Sequence, residues 1–154
     1  MIISSFQFLI NRDLKKLGVK HEKNISKVDL FNFDKILIPL HINENHWALC
    51  EIDLVKNTLG YFDSLGGDGM KIMETLLSYI ENEHLLKKKK RLDKTDFKLE
   101  NVKCLKQKGM NDCGIHVLVM ADHLSTDSKF TFRQKDMPMY RYKIAYEIIN
   151  NKVL

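Results

Sequence analysis

The sequence predicts a domain of mixed helices and antiparallel strands, and three observations carry that reading. Residues His46 to Leu54 alternate apolar and polar, and a short polar turn leads into a second β-rich run, Thr58 to Phe62. Two long stretches, Ser5 to Leu17 and Asp68 to about Leu86, instead repeat their apolar residues at helical spacing. A third helix is announced by the run QKGMNDCGIHVLVMA, Gln107 to Ala121, where a polar, Gly-containing turn gives way at Cys113 to an apolar segment.

Taken in order, Phe6, Ile10, Leu14 and Leu17 share one helical face, with Ser5 placed to cap the start and Gly18 to end it. A polar connection covers residues 19–27, and Val28 to Phe33 is too short to assign. Lys35 to His41 is rich in Ile and Leu and reads as a buried strand, in which Pro39 points to an edge or an end. Ile42 to Asn45 is a turn.

His46 to Leu54 reads as a half-buried strand. Ala48, Cys50, Ile52 and Leu54 take one face; Trp47, Leu49, Glu51 and Asp53 take the other. Val55 to Asn57 connects it to Thr58–Phe62. Asp63 ends that returning strand, and Ser64 to Gly67 form a loop. Antiparallel neighbours joined by a short turn have adjacent far ends. The hairpin therefore sets His46 and Asp63 side by side at one end of the sheet.

Beyond the loop, Asp68 is placed to cap a helix whose buried face is Met73, Leu76, Leu77, Ile80 and His84. An exposed connection follows, then a strand over Phe97 to Leu105, the Cys113 helix to about Leu124, and a loop through Asp127 to Lys129. Asp136 with Pro138 starts a last helix, packed through Tyr140, Ile144, Ala145 and Ile148.

Length and composition bound the function. With 154 residues, the chain is one domain large enough for a proper core. The net charge of +5 equals the contribution of Lys87 to Arg91 alone, so the rest is balanced. A nucleic-acid partner is therefore not expected, and that basic run reads as a solvated helix end. Cys50, Cys104 and Cys113 are an odd count without CxxC, and the six histidines include no HExxH. Neither a disulfide scaffold nor a metal site is expected, and no cofactor. No apolar run approaches the roughly 18 residues of a membrane span. MIISSFQFLINR lacks a basic leader and a small-residue cleavage site, so no signal peptide is expected.

Cys113 has two readings. Most cysteines in apolar surroundings are small buried hydrophobes. A cysteine at a helix N-terminus, however, meets unpaired N–H groups and a partial positive charge that favour the thiolate, which is the nucleophile. Gly114 lets a substrate backbone approach. Gln107, six residues upstream, is within reach of a turn that aims its amide N–H at an oxyanion. A nucleophile also needs a base and a group that orients it. A histidine on a surface and an aspartate in a turn are each unremarkable, but His46 and Asp63 at matched strand ends supply both. His116 and His123 read as spectators, His116 as a hydrogen-bonded core residue.

Four separated pieces then point one way: NHWAL (45–49), YFDSLGG (61–67), Gln107 to Gly114, and the tail from Met137 and Pro138 to Leu154. From about Ser5 onward the chain resembles the ubiquitin-like-protein-specific cysteine proteases, the sentrin/SUMO-specific protease family. The order His, Asp, Gln, Cys is that family's order. The resemblance implies an α+β fold of permuted papain-like type, with a central, mostly antiparallel sheet flanked by helices. It implies one catalytic domain over residues 1–154 that begins after the family's usual first helix and Trp-containing motif. Cys113 would be the nucleophile, His46 the general base and acid, Asp63 its orienter and Gln107 the oxyanion donor. Trp47 would line the tunnel for a diglycine tail. The partner implied is SUMO or a related ubiquitin-like modifier with its conjugates, met by a monomer inside the cell, in nucleus or cytoplasm. Alternatives are a protease for another modifier such as NEDD8, and a truncated module that binds a modifier without cutting it.

Overall fold

The computed structural model describes residues 29–152. The helix expected over Ser5 to Leu17, and the connection after it, lie outside them. The chain enters through a short 3-10 turn, Leu30–Asn32, where the Asp29 carboxylate accepts from Phe31 N–H. This is the stretch that was too short to assign.

Four strands follow the expected order: β1 (Lys35–Ile42), β2 (His46–Asp53), β3 (Thr58–Phe62) and, after a helix, β4 (Lys98–Asn101). They form one sheet in the order β1-β2-β3-β4. The first two pairings are antiparallel and β3 pairs β4 in parallel. A parallel neighbour requires a crossover, and helix α1 (Met70–Lys88) provides it. Pro39, which has no N–H to give a ladder, sits on edge strand β1. At the β2–β3 turn, buried Asp53 accepts from the N–H groups of Val55 and Lys56 and from the Lys56 ammonium. A carboxylate in that position closes the turn without leaving its own charge unpaired.

The sheet is covered on both sides. Ile36, Ile38, Ala48, Cys50, Ile52, Leu59 and Tyr61 pack with Met73, Leu76, Leu77 and Ile80 of α1. Leu37, Leu49 and Phe62 pack with Val117, Met120 and Ala121 of α2 (Cys113–Ser125). Strand β2 is therefore not half-buried as its alternation suggested. Leu49, on the face read as exposed, is fully enclosed because α2 lies over it. Each such side chain contributes about 1.5–3 kcal/mol of transfer free energy.

Three further expectations are corrected. The strand expected over Phe97 to Leu105 shrinks to β4, preceded by a 3-10 turn at Lys94–Asp96. One more backbone bond, Val102 N–H to Tyr61 carbonyl, continues the ladder before the chain leaves the sheet. Helix α3 (Met137–Asn150) starts where Asp136 and Pro138 indicated, but the Asp136 carboxylate accepts from Arg133 N–H, inside the preceding turn. The packed face of α3 is Met137, half-buried Tyr140 and half-buried Ile144; Ala145 and Ile148 are exposed. The helix packs against α2. His84, expected on the buried face of α1, is half-buried, edge-on to Phe31, and donates from Nδ1 to the Lys90 carbonyl. Lys87 and Lys88 occupy the last turn of α1, as a helix C-terminus favours.

Candidate active site

Strand β2 overhangs β3. Leu49 pairs with Phe62, the last residue of β3, so His46 to Ala48 project past the end of their neighbour. Asp63 turns out of β3 into that space. Its Oδ1 meets His46 Nε2 at 2.7 Å, with side-chain exposures of 13% for the imidazole and 5% for the carboxylate. Asp63 also accepts backbone N–H groups from Leu65 at 2.7 Å and Gly67 at 2.9 Å. Burial pushes this carboxyl up, but the bonds from Leu65, His46 and Gly67 outweigh it and hold it below its ordinary value. A carboxylate on Nε2 keeps the proton there and leaves Nδ1 with the lone pair a general base needs.

Cys113 is the first residue of α2 and is 7% exposed. Burial pushes the thiols of Cys50 and Cys104 upward, which suits inert packing residues. The start of α2 abuts the start of β2. A Cβ placed on Gly114 would stand 3.7 Å from Trp47 Cδ1, an ordinary contact. Trp47 is half-buried and stacks on His41, ring centroids 4.2 Å apart and 20° from parallel. The structure thus brings His46 to Asp63 and Trp47 to the Cys113 turn. No hydrogen bond joins Cys113 to His46 among the described residues.

Gln107 is buried. Its Oε1 accepts from Ser64 Oγ at 2.6 Å and its Nε2 donates to the Gly109 carbonyl at 2.7 Å. The amide's nitrogen end therefore faces the turn that leads into Cys113.

That turn is tied down by residues to which the sequence reading gave no role. Gln134 donates to Asp112 at 2.7 Å, while its Oε1 accepts from Lys108 N–H at 2.9 Å and faces His116 Nε2 at 3.3 Å. Arg141 pairs with Asp112 at 2.7 Å and also donates to the Asn111 carbonyl. The hydrogen bond from Arg141 is the main cause that holds the Asp112 carboxyl below its ordinary value. Without that cation, the Asp112 charge, one residue before Cys113 in the chain, would keep only the Gln134 amide. Ser64 lay inside the DSLGG motif, and Gln134 and Arg141 in or beside the tail motif. Composition carries no signal for such contacts, since each joins segments far apart in the chain. His116 is fully buried, as expected of a core residue; its Nδ1 has no partner. No group of His, Cys, Asp or Glu able to hold a metal occurs among the described residues.

The α+β sheet is sandwiched by helices, and the helix-start cysteine packs at the sheet end that carries the His–Asp pair. Solved structures place the fold more narrowly. The C-terminal Ulp1 protease domain in complex with Smt3, the yeast ortholog of SUMO, superposes with a TM-score of 0.68 at 33% identity, covering 81% of this chain and 56% of that one. Residues 4–153 match the Ulp1 protease family, C-terminal catalytic domain, and the chain belongs to that family. Among curated relatives, sentrin-specific protease 2 of Homo sapiens is 36% identical over 145 residues, 92% of this chain and 24% of that protein. Ubiquitin-like-specific protease 1 of Saccharomyces cerevisiae is 32% identical over 134 residues, 87% of this chain and 21% of that protein. The chain spans about a quarter of the length of these relatives.

Proposed function

We propose that the chain is the catalytic domain of a cysteine protease that cleaves after the C-terminal Gly-Gly of a SUMO-like modifier, in precursors and in lysine conjugates. The observation that carries this reading is the 2.7 Å contact between His46 Nε2 and Asp63 Oδ1, at the sheet end against which the Cys113 helix packs. Asp63 orients His46. His46 Nδ1 takes the Cys113 proton, and the thiolate attacks the carbonyl carbon of the last glycine of the diglycine. The oxyanion so formed is stabilised by the Gln107 amide and the N–H groups that open α2. The C–N bond then breaks, and His46 returns its proton to the leaving amine. Water, deprotonated by His46, hydrolyses the thioester and frees the thiol. Trp47 forms one wall of the passage for the tail; glycine fits because it has no side chain to strike the indole.

The family relatives named above support a SUMO-type modifier as partner, and we place the domain inside the cell as a monomer. Among the described residues no helix is long and apolar enough to cross a membrane.

The test mixes the protein with SUMO and with NEDD8, each carrying a C-terminal electrophile. A covalent adduct with SUMO at Cys113, absent in Cys113→Ser, is the expected result. Undiminished substrate cleavage by Cys113→Ser would end the proposal. An adduct with NEDD8 alone would keep the chemistry and change the substrate. Affinity for the modifier without adduct or turnover would mark a binding module.

A further inference from the structure

Ser64 is 1% exposed and spends its hydroxyl and its carbonyl on Gln107. Its hydroxyl donates to Gln107 Oε1 at 2.6 Å, and its carbonyl accepts Gln107 N–H at 3.0 Å. A primary amide has two ends of opposite hydrogen-bond character. Only the N–H end can serve a developing oxyanion. Ser64 takes the oxygen end. The nitrogen end then points into the turn before Cys113, where one N–H is held by the Gly109 carbonyl. The second N–H has no protein acceptor among the described residues.

We propose that Ser64 is a positioning residue for the reaction: its buried hydroxyl fixes which end of the Gln107 amide faces the site. This rests on the reading of Gln107 as the oxyanion donor. The terminal torsion of glutamine is broad and holds its amide only weakly. Two anchors of opposite type, a donor on the oxygen and an acceptor on the nitrogen, define one orientation. Removing the hydroxyl leaves a buried amide oxygen without a donor, and the side chain relieves that by rotating toward water or toward another N–H. Asp63, the preceding residue, already holds His46. One dipeptide at the end of β3 thereby sets both the base and the oxyanion donor.

The experiment compares Ser64→Ala, Gln107→Ala and the double variant on a modifier whose C-terminus carries a cleavable amide. It also follows the pH profile of Cys113 alkylation by iodoacetamide, a reaction that forms no oxyanion. Removal of a whole oxyanion donor costs roughly a hundredfold or more in kcat. Ser64→Ala should lose about tenfold or more in kcat with KM little changed, and its alkylation profile should match the wild type. In the Gln107→Ala background the same change should add almost nothing. Ser64→Thr, which keeps the hydroxyl, should recover most of the rate. Losses from Ser64 and Gln107 that multiply independently would overturn the proposal, as would an alkylation profile that shifts along with kcat. A normal kcat in Gln107→Ala would reject the oxyanion reading itself, and this proposal with it. A large loss in Gln107→Ala without coupling to Ser64 would reject only the role of Ser64.

Discussion

Gly67 stands over the Asp63 carboxylate so closely that a Cβ on it would lie 2.6 Å from Oδ2. The same oxygen accepts the Gly67 N–H at 2.9 Å. The loop therefore needs glycine here for approach. Gly67→Ala should push the carboxylate off His46, since Asp63 is short and held by three bonds. Removing the carboxylate's function in a catalytic triad costs about 10⁴-fold in kcat. Displacement should cost less, about 10- to 100-fold. Steady-state cleavage of a modifier substrate, with circular dichroism to establish folding, checks this. Wild-type turnover in a folded Gly67→Ala protein would count against Asp63 as the orienter.

Arg141 neutralises Asp112, one residue before the thiol. Arg141→Gln should leave that charge, one residue from Cys113 in the chain, without its cation and favour the protonated thiol. The pair is partly exposed, 47% and 20% by side chain, so the effect should be modest. A few-fold slower alkylation at neutral pH is expected, with the pH midpoint of the reaction moved upward. An unchanged profile would show that Asp112 is screened by Gln134 and solvent alone.

Gly69 packs face-on against Tyr61: a Cβ there would lie 2.1 Å from the ring. Tyr61 is a core residue between the sheet and α1. Gly69→Ala should strain that packing and cost about 1–3 kcal/mol of stability. Urea unfolding followed by tyrosine and tryptophan fluorescence measures it. A midpoint equal to wild type would mean that the entry to α1 shifts freely.

His116 predicts a pH dependence of stability. Burial lowers its pKa, against the smaller opposing effects of Gln134 and Asp112. The unfolded chain therefore takes up a proton near pH 6.5 while the folded chain stays neutral. The sign follows: stability is present above about pH 6.5 and declines as pH falls from there toward the folded pKa. This window lies above the range in which the depressed Asp63 carboxyl titrates. His116→Phe should flatten the loss between about pH 7 and pH 5. Urea midpoints at both pH values decide; an equal slope in both proteins would place the titration elsewhere.

Among the described residues, most strands and helices and their order were legible in the sequence because each is a local pattern. The Lys35–His41 run, the alternation after His46, and the helix starting at Cys113 each announce themselves within about ten residues. The meeting of His46 with Asp63 was legible too, because a hairpin with a short turn dictates which ends coincide. What the alternation of β2 did not reveal is that Leu49 is enclosed by a helix more than sixty residues further along. Nor did a packed α3 follow from periodicity, which marks Ile148 as apolar but not whether anything lies over it. The bonds from Ser64 to Gln107, and from Gln134 and Arg141 to Asp112, were likewise decided only by the tertiary structure. They join residues 22 to 43 positions apart. Local sequence determines which groups can donate and accept; only the packing of α2 and α3 against the sheet determines which of them meet.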